Sequence, residues 1–138
     1  MAAKDASLYE YAVVRYVPRV DREEFLNIGL LMLCKRRKWM KGEIALDAAR
    51  LKALYPEVDP EILQLQTALF TRQDVPSPHL SAEERYRWLA AVKSAVIQVS
   101  PSHPGLLPSS GKPDATQTLN SNSDLEAEFR RLFSQLVL

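Results

Sequence analysis

Cysteine and histidine are scarce in this sequence, and their scarcity excludes several kinds of site. A single cysteine, Cys34, among 138 residues rules out an internal disulfide and any cysteine-based metal cluster. The two histidines, His79 and His103, have no cysteine or carboxylate at a metal-ligand spacing, and the four glycines form no phosphate-binding or dinucleotide-binding loop. We therefore expect no metal and no cofactor. Without a nucleophile elbow the sequence favours a protein that is not an enzyme, although a Ser-His-Asp arrangement assembled only in three dimensions stays open.

Long apolar runs and an excess of one charge are also missing. No segment approaches the roughly 20 apolar residues of a membrane helix, and the N-terminal MAAKDASLYEY lacks the apolar core of a signal peptide. The 18 Lys and Arg residues are balanced by 17 Asp and Glu, so no overall field attracts nucleic acid or an anionic membrane. We expect a cytoplasmic protein without membrane contact, folded as one domain over residues 1–138.

What the sequence does contain is a clear succession of strand patterns. Residues Tyr9–Val17 and Phe25–Cys34 are apolar on both faces, which is typical of interior strands. Residues Trp39–Leu46 alternate between apolar and polar, and the tight connection Lys35–Lys38 predicts an antiparallel hairpin with the preceding strand. A fourth strand is expected at the β-branched end of Ala95–Val99.

Helix signals dominate the second half of the chain. The predicted starts are Asp47, Asp59 followed by Pro60, and two capping boxes, Ser81 with Glu84 and Ser123 with Glu126. The predicted apolar faces carry Ile62, Leu65, Leu69 and Phe70 in the second helix and Leu125, Phe129, Leu132, Phe133 and Leu136 in the last. Residues 100–122 are expected to be loosely ordered, either as a surface loop with one short strand or as a partly mobile segment. The expected fold is α+β, an antiparallel sheet of about four strands, the first three N-terminal, covered by C-terminal helices.

Three residues in the first two predicted strands are unusual for buried strands. Arg15, Asn27 and Gly29 are poor strand-interior residues, so each needs a structural or functional reason. The functional hypothesis is a site for a partner or a small anionic ligand, formed by Arg15, Tyr16, Arg22, Glu24, Asn27 and Gly29. The structural hypothesis pairs Arg15 with Glu23 or Glu24, uses Asn27 to bind backbone groups, and packs Tyr11, Tyr16 or Trp39 over Gly29.

The basic turn offers the best nucleic-acid signal in the chain. The candidate contacts are Lys35, Arg36, Arg37, Lys38 and Trp39. The cations suit phosphates and the indole suits stacking on an unpaired base. The same residues also suit a solvated hairpin turn that discourages edge-to-edge aggregation. Because a second basic cluster is missing, nucleic-acid binding is the less favoured of the two interpretations.

The segment with these unusual residues resembles one bacterial family. Arg15-Tyr16-Val17-Pro18, then Arg22 to Phe25, then Asn27-Ile28-Gly29 resembles the domain-of-unknown-function family numbered three thousand and thirty-seven. The resemblance is specific over residues 9–34 and looser through the helical part. It implies a bacterial cytoplasmic protein and no particular activity. The resemblance also implies a partner or accessory role, since proteins of this family tend to be encoded beside kinase-like proteins related to persistence toxins.

The leading functional prediction is therefore a non-enzymatic protein-interaction or accessory module. The alternatives are nucleic-acid binding through residues Lys35–Lys41 and a small anionic-ligand site around Arg15, Arg22 and Asn27.

Overall fold

The computed structural model describes residues 8–91, 94–108 and 122–138, and is organised around an antiparallel sheet. Its strands are β1 (Leu8–Tyr16), β2 (Leu26–Cys34), β3 (Trp39–Ile44), β4 (Ile97–Val99) and β5 (His103–Leu106). The order is β3-β2-β1-β4, and β5 pairs with the first half of β1. The α+β fold is confirmed, and the described residues form five strands in place of the expected four or so.

Helices cover both faces of the sheet. They are α1 (Ala48–Leu54), α2 (Pro60–Thr67), α3 (Ala82–Ala90) and α4 (Ser123–Leu136), with 3-10 turns at Val20–Arg22 and Ala68–Thr71. Asp47, Asp59 and Ser81 cap their helices as predicted. The second predicted capping box is wrong, because α4 begins after Asn122 and Glu126 bonds Lys41 of β3 at 2.7 Å. No helix in the described part of the chain is both long and apolar enough to cross a membrane.

Two apolar clusters lie on opposite sides of the sheet. The first contains Leu51, Leu63, Phe70, Tyr86 and Leu89 from the 48–90 region, packed on Val14, Ile28 and Leu31. The second contains Leu125, Phe129, Leu132 and Phe133 of α4, packed on Tyr9, Val13, Leu30 and Met32. Because β1 and β2 contribute to both clusters, their two-sided apolar patterns are explained by burial from both directions.

The apolar face predicted for α2 is right for Leu69 and Phe70 and wrong for Ile62 and Leu65. Leu63, Thr67 and Phe70 are buried, whereas Ile62 and Leu65 are 53% and 78% exposed. Leu63, Thr67 and Phe70 lie four and three residues apart, so the buried stripe follows the helical period. Its middle position is the polar Thr67, whose hydroxyl donates to Leu63 O at 2.9 Å, and this polar residue hides the stripe from an apolar pattern.

Ser100 lets two short strands share one edge of β1. Its backbone N–H donates to Val13 O at 2.9 Å, and its hydroxyl accepts from Val13 N–H at 2.9 Å. The side chain thus replaces a ladder bond between the end of β4 and the start of β5, where Val13 would otherwise have a buried unsatisfied donor.

We expect Ser100→Ala to lower the free energy of unfolding by about 1 kcal/mol, since a buried N–H without a partner carries that order of cost. Urea denaturation followed by circular dichroism measures the change, and hydrogen exchange at Val13 should accelerate. Ser77→Ala is the matched control, because Ser77 accepts from His79 N–H at an exposed site. An equal loss in both variants would contradict this role for Ser100.

Candidate functional site

The two unusual polar residues of the first strands lie directly opposite each other. Arg15 of β1 pairs with Asn27 of β2. The preceding ladder pair is Val14–Gly29, so Ile28 is the extra residue of a β-bulge in β2. The bulge keeps Ile28 in the cluster under α1–α3 and places Arg15 and Asn27 at the C-terminal end of α4. Arg15 and Asn27 therefore lie at the same end of the sheet.

Asn27 holds the last turn of α4. Its amide nitrogen donates to Leu136 O at 3.0 Å, and Arg50 of α1 donates to Val137 O at 2.8 Å. Both carbonyls belong to the end of a helix, where the backbone has no intrahelical donors left. Asn27 therefore does bind backbone groups, as the structural hypothesis states, but on a helix that lies more than 100 residues away in the sequence.

Arg15 does not pair with Glu23 or Glu24, contrary to the structural hypothesis. Glu24 instead bonds Arg22 at 2.7 Å. The Arg15 guanidinium lies over the Phe25 ring, 4.3 Å from its centroid, and Arg15 Nε is buried with no hydrogen-bond partner. Asn27 Oδ1, across the ladder, is also buried without a partner. Within the described ranges, Arg15 is thus a cation held by an aromatic ring and not by an acid.

The remaining polar residues of the predicted site line two adjoining clefts. Tyr16 lines one of about 270 Å³, and Arg22 and Glu24 line another of about 370 Å³. Pro18 and Tyr55 contribute to both clefts. Arg15, Asn27 and Gly29 line neither, so the structure divides the predicted site into two groups of residues.

Gly29 is explained by close packing between its neighbours in the ladder. A Cβ at this position would lie 2.7 Å from Glu43 O and 3.2 Å from Val14 Cβ, and against Ile44 Cδ1. The nearest atoms therefore come from β1 and β3, not from the aromatic residues suggested by the sequence. The lack of a side chain lets β1, β2 and β3 approach under α1–α3.

Much of the basic turn is neutralised by acids from two helices. The ion pairs are Lys35–Glu83 at 3.4 Å, Arg37–Asp124 at 2.8 Å and, just beyond the turn, Lys41–Glu126 at 2.7 Å. Arg37 binds both carboxylate oxygens of Asp124 and lowers the pKa of that carboxyl by these hydrogen bonds.

The other residues of the turn are also committed in part to the fold. Lys38 adopts a left-handed conformation with φ of 53°, and Trp39 is half-buried against the α4 cluster. Arg36 precedes both and lies between Lys35 and Arg37 in the turn. The indole is therefore not a free stacking platform, and the turn acts at least partly as an attachment point for α3 and α4.

Glu128 is a buried carboxylate on α4 that the sequence does not identify. Glu128 is 3% exposed and accepts from Tyr9 Oη at 2.5 Å and from Arg131 at 2.7 and 2.8 Å. Hydrogen bonds from Arg131 are the main cause of the lowered pKa of Glu128, against the opposing effect of burial. Burial and the adjoining carboxylate raise the pKa of Tyr9. The spacing of Glu128 could have indicated burial, because it lies three residues after Leu125 and four before Leu132, on the apolar face of the helix.

The described residues show no grouping typical of a metal site. No three His, Cys, Asp or Glu side chains among them come together where they would hold an ion. Cys34 is fully buried in the sheet, with its sulfur 3.5 Å from Leu8 O. His103 lies in β5 beside the Tyr11 ring, and His79 lies in an exposed turn.

Comparison with known proteins agrees with the resemblance noted in the sequence. The family model described as "Protein of unknown function (DUF3037)" matches residues 11–137. Neither the curated proteins nor the solved structures provided a match. Since the match includes both the Arg-Tyr-x-Pro and Asn-x-Gly segments and continues through α4, the chain belongs to the DUF3037 family.

Proposed function

We propose that this protein is a non-enzymatic protein-interaction module whose binding surface is the connection between β1 and β2. We call this the connection surface and define it by Arg15, Val20 and Phe25. The observation that carries the proposal is Arg15, a partly buried cation stacked on a half-exposed aromatic ring without an acidic partner in the described residues.

The exposed apolar residues of the connection support this assignment. Val20 and Phe25 are 52% and 47% exposed within a single short connection. Aromatic residues and arginine are the side chains most enriched at the centres of protein interfaces. The ion pairs Arg19–Asp21 and Arg22–Glu24 flank them, which resembles the polar rim of such an interface.

Charge complementarity defines the chemistry of the partner. A guanidinium held by a ring on one face and lacking a carboxylate is arranged to receive one from another molecule, through two parallel hydrogen bonds. The proposed ligand is therefore a partner segment with a carboxylate beside an apolar side chain, the latter packing on Phe25. A kinase-like protein, which the family resemblance implies as a neighbour, is the first candidate to test.

Capture of partners from a lysate of the source organism at near-physiological salt tests the proposal. We expect Phe25→Ser and Arg15→Gln each to reduce one specifically captured protein by about tenfold, the loss expected for a central interface residue. The captured protein, once purified, should bind with the same ranking in calorimetry. Thermal unfolding of each variant confirms that the fold is retained.

Matched controls lie elsewhere on the same chain. Leu65→Ser removes an apolar residue that is 78% exposed on α2, and Arg72→Gln removes an arginine outside the connection that already has an acidic partner, Asp74. Both controls should capture the protein as the wild type does. Equal losses in the controls, or capture of no specific protein, would overturn the proposal.

The two alternatives have less support. Acids already pair with Lys35 and Arg37, which reduces the charge that the basic turn offers to phosphates. The small-ligand hypothesis requires Arg15, Arg22 and Asn27 to surround one cavity, but the cleft lined by Arg22 does not include the other two.

A further inference from the structure

The edge of the sheet formed by β3 is open to pairing with a further strand. β2 flanks β3 on one side, and no strand in the described ranges flanks it on the other. Ala45 N–H donates to Ile28 O at 2.8 Å, so the odd-numbered residues of β3 direct their backbone groups toward β2. Met40, Gly42 and Ile44 direct theirs outward, where these groups have no hydrogen-bond partner in the described part of the chain.

A cleft of about 450 Å³ follows this edge. It is lined by residues 38–43, by Phe70 and Arg85 from the side of α1–α3, and by Glu126 of α4 from the opposite side. A further strand would lie about 4.8 Å from β3, within this cleft. The edge is therefore accessible between the two helical layers.

The charged side chains of β3 leave its edge clear. Exposed edge strands are usually protected by a lysine or another charge that blocks pairing. Here Lys41 Nζ lies 2.7 Å from Glu126 and 5.3 Å from the centre of the Phe129 ring, and Glu43 binds the guanidinium of Arg130. Both side chains are therefore held against α4, each beside an opposite charge.

The sequence of β3 is complementary to itself in one antiparallel register. When Gly42 faces Gly42 of a second copy, Met40 faces Ile44 and Lys41 faces Glu43. Apolar side chains then meet on the face covered by α1–α3, and opposite charges meet on the face covered by α4. A register shifted by two residues in either direction places Lys41 opposite Lys41 or Glu43 opposite Glu43, which is unfavourable.

These charges select the register and contribute little to the affinity. Lys41 and Glu43 already have partners on α4, so the pairing leaves no charge uncompensated and adds only partly exposed contacts. The affinity comes from the outward backbone groups, which exchange hydrogen bonds between copies, and from the contacts between Met40 and Ile44.

We propose that β3 pairs antiparallel with β3 of a second copy about a two-fold axis at Gly42, which joins the two sheets into one. A second copy is the occupant because one register satisfies the backbone groups, the apolar pairs and the charge pairs together. The β3 edge shares no residue with the connection surface, so either proposal can fail without the other.

Analytical ultracentrifugation of the full chain over a range of concentrations tests the proposal, and the wild type should show a reversible monomer–dimer equilibrium. Met40→Pro removes an outward N–H that β2 does not use, and proline is tolerated at such edge positions. Met40→Ala is the matched control, because it also loses the side chain but keeps the N–H. Met40→Pro should dimerise about tenfold to a hundredfold more weakly than Met40→Ala, since the symmetric pair loses two hydrogen bonds. Thermal unfolding of each variant confirms that the fold is retained.

Oxidative cross-linking tests the register. A Lys41→Cys chain mixed with a Glu43→Cys chain places the two new cysteines directly opposite, with Cβ atoms about 4.5–5.5 Å apart. The mixture should form a disulfide-linked dimer faster than either variant alone, and the fully buried Cys34 does not compete. Lys52→Cys mixed with Glu43→Cys is the control, because Lys52 lies exposed on α1 and does not line the cleft.

A reversible dimer, its selective weakening in Met40→Pro and preferential linking of the mixed pair together support the proposal. A chain that stays monomeric at every concentration would overturn it and would leave the edge to a segment of another protein. A dimer equally stable in both Met40 variants, or faster linking within one cysteine variant than in the mixture, would also overturn it.

Discussion

Replacing Gly29 with alanine is expected to lower the free energy of unfolding by about 3 kcal/mol, at the upper end of the usual cost of overpacking a core. The new Cβ would lie 2.7 Å from Glu43 O, which belongs to the backbone of β3 and cannot rotate away. Val14 Cβ lies at 3.2 Å on the other side, so moving β2 away from β3 only brings it closer to β1. Urea denaturation followed by circular dichroism measures the loss.

A double-mutant cycle with Ile44 tests the cause. Ile44→Val removes the Cδ1 atom that the alanine would meet, and by itself should cost about 1 kcal/mol. The double variant should lose about 1 kcal/mol less stability than the sum of the losses in the two single variants, because one of the clashes has been removed. The carbonyl of Glu43 remains, so recovery should be partial. A Gly29→Ala variant as stable as the wild type would show that this position is not crowded.

Replacing Arg131 with methionine is expected to cost about 2 kcal/mol at pH 7. Glu128 is nearly inaccessible, and without Arg131 its carboxylate would retain, among the described residues, only the Tyr9 hydroxyl as a partner. Breaking a fully buried ion pair costs about 3–5 kcal/mol. The expected cost here is smaller, about 2 kcal/mol, because the Arg131 side chain is 54% exposed. Arg130→Met is a close control, since Arg130 pairs with the partly exposed Glu43 and should cost about 0.5 kcal/mol.

The pH dependence separates this electrostatic effect from lost packing. In the wild type the folded-state pKa of Glu128 is lowered, so the stabilisation is present above the unfolded value of about 4.3 and is lost as the pH falls through the lowered folded value. In Arg131→Met, uncompensated burial should raise the pKa of Glu128. The stability difference between the two proteins should therefore shrink as the pH falls from 7 to about 3. If the stability difference stays constant over that pH range, the loss in Arg131→Met comes from packing and not from the ion pair.

The strand arrangement was predictable because its signals are local. Tyr9–Val17 and Phe25–Cys34 are apolar on both faces, and the structure places them in the middle of the sheet with boundaries shifted by one residue. Asp47, Asp59 and Ser81 were recognisable as helix caps because a cap depends on its own backbone neighbours. Residues 109–121 of the predicted loop lie outside the described residues, whereas β5 accounts for its expected short strand.

The contacts between distant segments were not predictable from local pattern. Arg15 is followed within ten residues by two glutamates, yet one of them pairs with Arg22 and the guanidinium stacks on Phe25. Asn27 bonds a carbonyl of α4, and Glu128 of the same helix bonds Tyr9, each over a separation of more than 100 residues. Choosing between such partners requires the packing of α4 on the sheet, which periodicity does not specify.

The two-sided burial of β1 and β2 has a consequence for synthesis on the ribosome. The three strands over residues 8–44 are made before α4, which covers one of their faces and ends at Leu136. At about 5–20 residues per second, the intervening 90 or so residues take roughly 5–20 s. During that interval Val13, Leu30 and Met32 have no cover from α4. The nascent chain is thus most exposed to aggregation and to chaperone binding just before its last helix is made.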